Sequence, residues 1–566
     1  MQNLLHVGFM YFTKRMSRSV MHQSELCNLY IESCNSLGIS FITFGNMIKR
    51  RLLYKILIGI AAGMLLLFLL KVFVLEPWVK YKIHSSINKS TGAYLVKIGN
   101  VHISVFRSAV ELKNISIQSK PEQTVDPAIT GEIESLSLVK IRLIKALFKK
   151  DIDIGEVTFF NSNFAGKISF PEESGQAATS PVNIRVDNLI FDQINLDIAS
   201  DSTAQSYALT EGVLKIYGLQ VEKLDSLTPA IIGSLEFEAR EFITVSPDSM
   251  YTISVTDINY SATSNILAAG IFSINPNYTY YEFTSRHHFE TDRIEGLFSR
   301  VSVHGFSAVN YITSGDLISS FIEIGEMDMD VFRDKRKEFR HVNKPSLQEL
   351  IYDYPGNIHI DSIAVLGGGI TYREHAQEAN DHGMISFNNL NALICTISND
   401  TIYKTKEEFL EIKAEALLMD TARITLLFKG RIFDSQSTYS LQGSLSGMEV
   451  PALNPILENN AFIFVESGKI DEMNFSLTAN NTKATGSMNL LYHDLKIKVI
   501  NKQTDETSGL KEQLISFIAN MVVINENPKP GKEVRVGIID FERDPEKFIF
   551  NYWVKSLLSG IKSSLT

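Results

Sequence analysis

Cysteine is almost missing from this sequence. Three occur in 566 residues, Cys27, Cys34 and Cys395, and the first two precede the one long apolar run. The chain beyond that run holds a single thiol, which excludes a disulfide-stapled fold. Tryptophan is as scarce, with only Trp78 and Trp553. An excess of basic residues is missing too. Asp and Glu outnumber Lys and Arg by 64 to 54, for a net charge of −10, and this balance argues against a nucleic-acid binder. No Gly-x-Ser-x-Gly elbow, Walker loop, Rossmann fingerprint or His-Glu-x-x-His motif occurs. Carboxylates are plentiful, but a glycosidase pair is defined by spacing in three dimensions and leaves no sequence signature. The expectation is a protein that is no enzyme and carries no cofactor.

A hydrophobic fraction of 45% with 10% aromatics provides for a real core and argues against disorder. The most conspicuous segment is Leu52–Leu75, LLYKILIGIAAGMLLLFLLKVFVL. Between Ile56 and Leu70 it carries no charge, and about 20 mostly apolar residues are what a helix needs to cross a bilayer. Leu52, Ile56, Leu66 and Leu70 would face lipid, with Trp78 at the interface. Lys49, Arg50 and Arg51 in front favour a cytoplasmic N-terminus. Leu75-Glu76-Pro77-Trp78 offers no small-x-small cleavage site, so the segment reads as an uncleaved signal anchor. Residues 1–46 lack steady periodicity, and Met47 opens the basic-then-apolar layout of an export signal. Two explanations stay open: a start codon placed too early, or a poorly ordered cytoplasmic extension.

Past the anchor (47–78) the apolar period changes from helical to two. Val101, Ile103 and Val105 alternate with polar residues, as do Val110 and Leu112, then Leu136 and Leu138. Ile141–Lys150 reads as a short basic amphipathic helix. From Asp151 the chain rhymes with itself. IDIGEVTFF from Ile152, IEIGEMDM from Ile322 and IHIDSIAV from Ile358 each set two apolar residues one apart, then Gly or Asp, then another alternating run. The uneven spacing of these copies indicates a recurrent strand-turn-strand unit, not a strict repeat. Alternation is also clean at Ile424/Leu426/Phe428, Met473/Phe475/Leu477 and Leu495/Ile497/Val499. Gly367-Gly368-Gly369 reads as a hairpin turn. Glu374, His375, Glu378, Asp381 and His382 are candidate metal ligands, but their spacing matches no usual pattern, and a solvated loop is the simpler reading. The fold expected is mainly β: one transmembrane helix, then a long curled antiparallel sheet over 79–500. Amphipathic helices at Leu510–Val522 and Asp544–Leu565 would cap it within 501–566.

A resemblance reinforces this reading. The anchor followed by STGAYLVKIGNVHISVFRSAVELKNISI (Ser90–Ile117) resembles the start of AsmA-like proteins. SPDSMYTISVTDINYS (Ser246–Ser261), FRDKRKEF (Phe332–Phe339) and ERDPEKFIFNYWVKSLLSGIK (Glu542–Lys562) are similar to segments of the AsmA-like proteins of unknown function common in Bacteroidetes. The resemblance covers about Met47 to the end. It implies a β-groove with an apolar lining, kinship with bridge-type lipid-transfer proteins such as TamB and the choreins, and phospholipid as cargo between inner and outer membranes. It carries no catalytic or metal-binding residues. On that view Val101, Ile103, Val105, Leu136, Leu138, Ile424, Leu426, Phe428, Met473, Phe475, Leu477, Leu495, Ile497 and Val499 would line the groove. The protein would sit in the inner membrane with its bulk in the periplasm. A scaffold for outer-membrane or other envelope proteins, without lipid cargo, is the competing expectation; alternation alone does not separate groove from sandwich.

Overall fold

The structure, a computed structural model, describes residues 58, 60–90, 94–104, 107–119, 129–142, 151–168, 183–200, 205–221, 231–404, 408–500 and 524–565. It divides into two units, Met1–Val79 and Lys80–Thr566. In the first, the described residues form an apolar helix. Ile60–Lys82 is long and apolar enough to cross a membrane, and the helix continues as α1 (Glu76–Ser90). At Lys71–Leu75 it widens into a π turn. The extra residue brings the Lys71 ammonium to 3.6 Å from the Glu76 carboxylate, pairing two charges that an apolar helix carries only at a cost. Leu66, Leu70 and Trp78 are exposed on its surface. Leu52 and Ile56 lie outside the described residues, as does most of Ile141–Lys150 and all of Leu510–Val522.

The second unit is organised by one sheet of 21 strands. Its first half comprises β1 (Tyr94–Ser104), β2 (Ala109–Ser119), β3 (Ile129–Val139), β4 (Asp151–Ile168), β5 (Asn183–Ser200), β6 (Ser206–Val221), β7 (Ser234–Val245), β8 (Tyr251–Ser261), β9 (Ile266–Pro276) and β10 (Asp292–His304). The second half comprises β11 (Leu317–Ile324), β12 (Met327–Asp334), β13 (Ile358–His375), β14 (Gly383–Ser398), β15 (Leu410–Leu418), β16 (Ala422–Gly430), β17 (Tyr439–Leu445), β18 (Met448–Glu449), β19 (Ile463–Ala479), β20 (Lys483–Val499) and β21 (Val536–Glu542). Strands follow one another across the sheet in chain order. β11 and β12 lie end to end as one interrupted strand between β10 and β13, and β17 and β18 likewise share the edge of β19. At about 4.8 Å per strand the row spans roughly 90 Å. The sheet is mixed, not purely antiparallel: β4 runs parallel to β5, and β11–β12 parallel to β13. The second of these junctions needs a crossover, which residues 335–357 make with the short helix α4 (Leu347–Tyr352). α2 (Tyr280–Ser285), α3 (Ala308–Ser314), α5 (Asn454–Asn460) and α6 (Ile549–Leu565) complete the described helices used below.

Strict alternation does not describe these strands. On β2, Val110 and Leu112 pair with Ile103 and Val101 of β1, and Ile115 and Ile117 pair with Ile98 and Val96. The apolar positions therefore run i, i+2, i+5, i+7. An odd step on one face requires an extra residue, and Asn114, with φ 53°, sits in it. Neighbouring strands repeat the device. Asn161 (φ 48°), Gln193 (φ 59°), Glu211 (φ 51°), Asp257 (φ 51°), Arg300 (φ 51°), Gly367 (φ 81°) and Asn389 (φ 51°) occupy corresponding places on β4, β5, β6, β8, β10, β13 and β14. The break between β11 and β12 falls in the same row, held by Gly325 N–H to Ser299 O and Ser299 N–H to Glu326 O. Each bulge resets the alternation, so both halves of a strand present apolar side chains to one side of the sheet. IEIGEMDM is thus a strand interrupted in line, and Gly367-Gly368-Gly369 lies inside β13; neither is the turn read from the sequence. Gly suits position 367 because φ 81° strains any L residue.

The main core lies at the C-terminal end of the row. Phe428, Leu441, Phe475, Leu477, Met488 and Ile539 present one face, and α6 lies on it with Ile549, Tyr552 and Trp553. Trp553 donates its indole N–H to the Tyr439 hydroxyl at 3.1 Å. Gly537 and Gly560 let strand and helix touch, since a Cβ on either would collide with its surroundings. α6 also closes the outer edge of β21. Ser563 Oγ accepts the Ile538 N–H at 3.0 Å, and Ser559 Oγ accepts the Asp540 N–H at 3.2 Å. A terminal edge satisfied by its own helix is closed to further strands.

Candidate functional site

Register carries the apolar face without interruption from the first strand to the last. Leu136 faces Leu112 and Phe159; Phe159 faces Phe191; Phe191 faces Leu214, and Leu214 faces Phe237. On the other side of the bulge row Leu209 faces Phe242, then Val255, Phe272, Phe298 and Met327 follow. Paired residues share a face, so these side chains form one surface. Its character changes along the row. In β1–β3, Val96, Ile98, Val101, Leu112, Ile115 and Ile133 are buried, and from β15 onward the face is the interior of the main core. Between them, from β4 to β12, Phe159, Phe191, Phe237, Phe242, Phe272, Phe298 and Met327 are only half-buried. Phe159 and Phe191 stack at 4.7 Å and Phe272 and Phe298 approach to 5.5 Å. Among the described residues, a small cluster around α3 (Leu235, Tyr260, Phe306) covers one margin of this stretch, and no described helix joins a core cluster on the rest. These partly buried side chains form one continuous apolar surface and are not scattered singly.

The opposite side of the bulge row is polar. Asn161 donates to Glu134 at 2.8 Å, Asn195 to Asn163 at 2.9 Å, Arg240 to Glu211 at 2.7 Å and Arg300 to Glu326 at 3.4 Å. These side chains secure the bulges and form a polar row on that side, where Ile271, Leu297 and Leu366 are also exposed.

At one end the apolar face runs into charge. Along β10, Phe298, Gly296 and Ile294 are followed by Asp292; along β12, Met327, Met329 and Val331 by Arg333; along β13, Gly368, Ile370 and Tyr372 by Glu374. Arg333 binds Asp292 through two nitrogens, Nε at 2.6 Å. Glu374 accepts from Lys335 at 2.8 Å, Tyr372 at 2.7 Å and Asn460 at 2.7 Å. Burial alone would raise the Glu374 carboxyl; Lys335 and these hydrogen bonds outweigh it and hold the group below its ordinary value. Burial pushes the Tyr372 hydroxyl and the Glu290 carboxyl up and the Lys547 and Lys555 ammoniums down.

The residues expected to line a groove separate into two groups. Val101 is buried, and Ile103, Leu136 and Leu138 half-buried, on the continuous face near its start; Val105 lies outside the described residues. Phe428, Met473, Phe475, Leu477 and Leu495 are instead interior, at most 6% exposed, with Ile424, Leu426 and Ile497 packed against the same core and Val499 half-buried beside it. They share the face but not the opening, because α4, α5 and α6 have closed over that end. Strand alternation gave no warning of this, since a covered and an uncovered face have the same pattern. In the aromatic stretch of β4–β10 the bulges break the period of two, and an i, i+2, i+5, i+7 spacing marks the apolar face there.

The other candidates are engaged elsewhere. His375 is buried, its Nδ1 2.9 Å from the Tyr281 hydroxyl and its Nε2 3.0 Å from Ala379 O. Among the described residues no group of three or more His, Cys, Asp or Glu is placed to hold a metal ion. No protein-family model matches the chain, and no curated protein matches it.

Proposed function

We propose that this protein is an AsmA-like, inner-membrane-anchored lipid carrier whose half-exposed apolar face takes up phospholipid acyl chains in the periplasm. The observation that carries this reading is the contrast along one continuous face: packed by helices at β15–β21, but aromatic and half-exposed at β4–β12. A sheet face of that composition must be covered by something apolar. Acyl chains fit a smooth track that offers no hydrogen bonds, and a run of strands lets them pass from one to the next. The apolar helix Ile60–Lys82 supports attachment to a membrane, and the basic residues before it support export of the larger unit.

Lipid extraction tests the proposal. The full-length protein, purified in detergent and washed free of bulk lipid, should retain phospholipid in stoichiometric amount by mass spectrometry. Lipid-free protein that instead captures an envelope protein would favour the scaffold reading.

A further inference from the structure

Register joins the apolar face into one surface, and it also locates where that surface ceases to be open. On one side of the bulge row Met329 faces Ile370, Ile370 faces Phe387, and Phe387 faces the buried Leu418. On the other side Val303 faces Ile322, and Ile363, Ile394, Ile412, Phe428, Leu441 and Leu477 follow in one line. Ile363, Phe387 and Ile394 already pack against the main core, so the filling begins at β13 and β14. Phe428 and Leu441 are 0% exposed. The line continues through Gly486, where a Cβ would strike Ser476 O and Leu477, to the buried Ile539.

The elements that fill this end are fastened to it. α4 is held where Ser346 Oγ lies 3.0 Å from Ser437 Oγ and Gln348 Nε2 donates to Ser437 O at 3.2 Å. Asn454, at the start of α5, donates to Val465 O at 3.0 Å and accepts the Val465 N–H at 2.9 Å. Asn460, at the other end of α5, donates to Glu374 at 2.7 Å. α6 is held by the bond from Trp553 to Tyr439 and by the close approach of Gly560 to Ile539. Releasing such a helix leaves buried polar groups without partners, so these helices form a packed end and not a lid. The final strand offers no continuation either, since its Ile538 and Asp540 N–H groups are taken by hydroxyls of α6.

We infer that the lipid track ends blind at β13–β14: acyl chains board and leave along β4–β12 and do not travel on to β21. An acyl chain advancing further would have to displace side chains that already fill the face at interior density. The Arg333–Asp292 and Lys335–Glu374 pairs put charge at the ends of β10, β12 and β13, a margin that hydrocarbon avoids. The chain is therefore a container loaded and emptied through its open stretch, not a conduit open at both ends. The inference rests on the proposed function for the presence of lipid, and the test separates the two.

Full-length protein carrying photoreactive p-benzoylphenylalanine at position Phe191, Phe242, Leu426 or Val499 is reconstituted into phosphatidylethanolamine vesicles containing tritiated phosphatidylglycerol, and irradiated. Label should appear at Phe191 and Phe242 and be lost at Leu426 and Val499, with melting temperatures showing that each variant is folded. Should the Leu426 variant misfold, Val499 decides, because it is half-buried beside the core and tolerates a larger ring. Label at Leu426 or Val499 of folded protein equal to that at Phe191 overturns the blind end while leaving the lipid reading intact. Label at none of the four positions removes the lipid reading, and the blind end with it.

Discussion

Phe159 and Phe191 stack at 4.7 Å on two parallel strands, one of two parallel junctions among the described strands, and both rings are partly buried. They stand on the face that the main core closes further along, in a stretch where no described helix covers them. That difference between filled and unfilled parts of one surface underlies the first prediction. Phe191→Asp and Phe242→Asp should remove bound phospholipid. Each should cost the fold only about 1 kcal/mol, because a half-exposed ring gains only part of its transfer free energy. Phe475→Asp and Leu426→Asp should fail to fold, since a charge in a closed core has no water and no partner. Lipid content and melting temperature on the same preparations check both halves; Phe191→Asp with full lipid content would remove the middle strands from the site.

The C-terminal helix should prove structural. Trp553→Ala leaves a cavity between Phe428 and Tyr439 and orphans the Tyr439 hydroxyl. The expected loss is about 3–5 kcal/mol. Truncation after Asp540 should also bare the edge that Ser559 and Ser563 close. Denaturant titration and exposure of apolar surface to a dye report the outcome, and an unchanged transition would make α6 an independent docking element.

Backbone conformation in the bulge row gives a third prediction. Asn161→Gly keeps the φ of 48° accessible and loses only the bond to Glu134. Asn161→Val places a β-branched residue in the left-handed region, at a cost of about 1–2 kcal/mol or more. Thermal melts of the pair should rank Gly above Val; the reverse order would mean the bulge is dispensable.

Acid should act partly through Glu374. Its folded-state carboxyl titrates below the ordinary 4.5, so the folded form favours the ionised state. The resulting stabilisation is fully present above about pH 4.5 and disappears as pH falls through the lower folded value. Glu374→Gln should therefore lower stability at neutral pH and flatten its dependence on pH below 4.5. Urea midpoints across that range measure this, and an unchanged slope would rule Glu374 out.

Membrane topology is the fifth test. A reporter active only after export, fused to the C-terminus, should be active if the basic flank Lys49–Arg51 orients the helix as proposed, with its start in the cytoplasm. An inactive reporter with a cytoplasmic C-terminus would remove the periplasmic setting from the proposal.

Local physics was legible in the sequence. An apolar run long enough for a bilayer marks the helix Ile60–Lys82, and the apolar stripe Ile549, Trp553, Leu557 and Ile561 marks a helix that packs on the sheet. Strand content and one apolar face follow from residues such as Val110, Leu112, Ile115 and Ile117, whose neighbours are polar. Even the bulge at Asn114 was written in the odd step between Leu112 and Ile115, although a period of two conceals it. Tertiary structure alone decided which part of that face is filled. Phe428 and Phe191 have the same local pattern, but α6 lies over one and no described helix over the other. Coverage depends on where a distant segment docks, a contact between residues far apart in the chain that strand periodicity cannot encode.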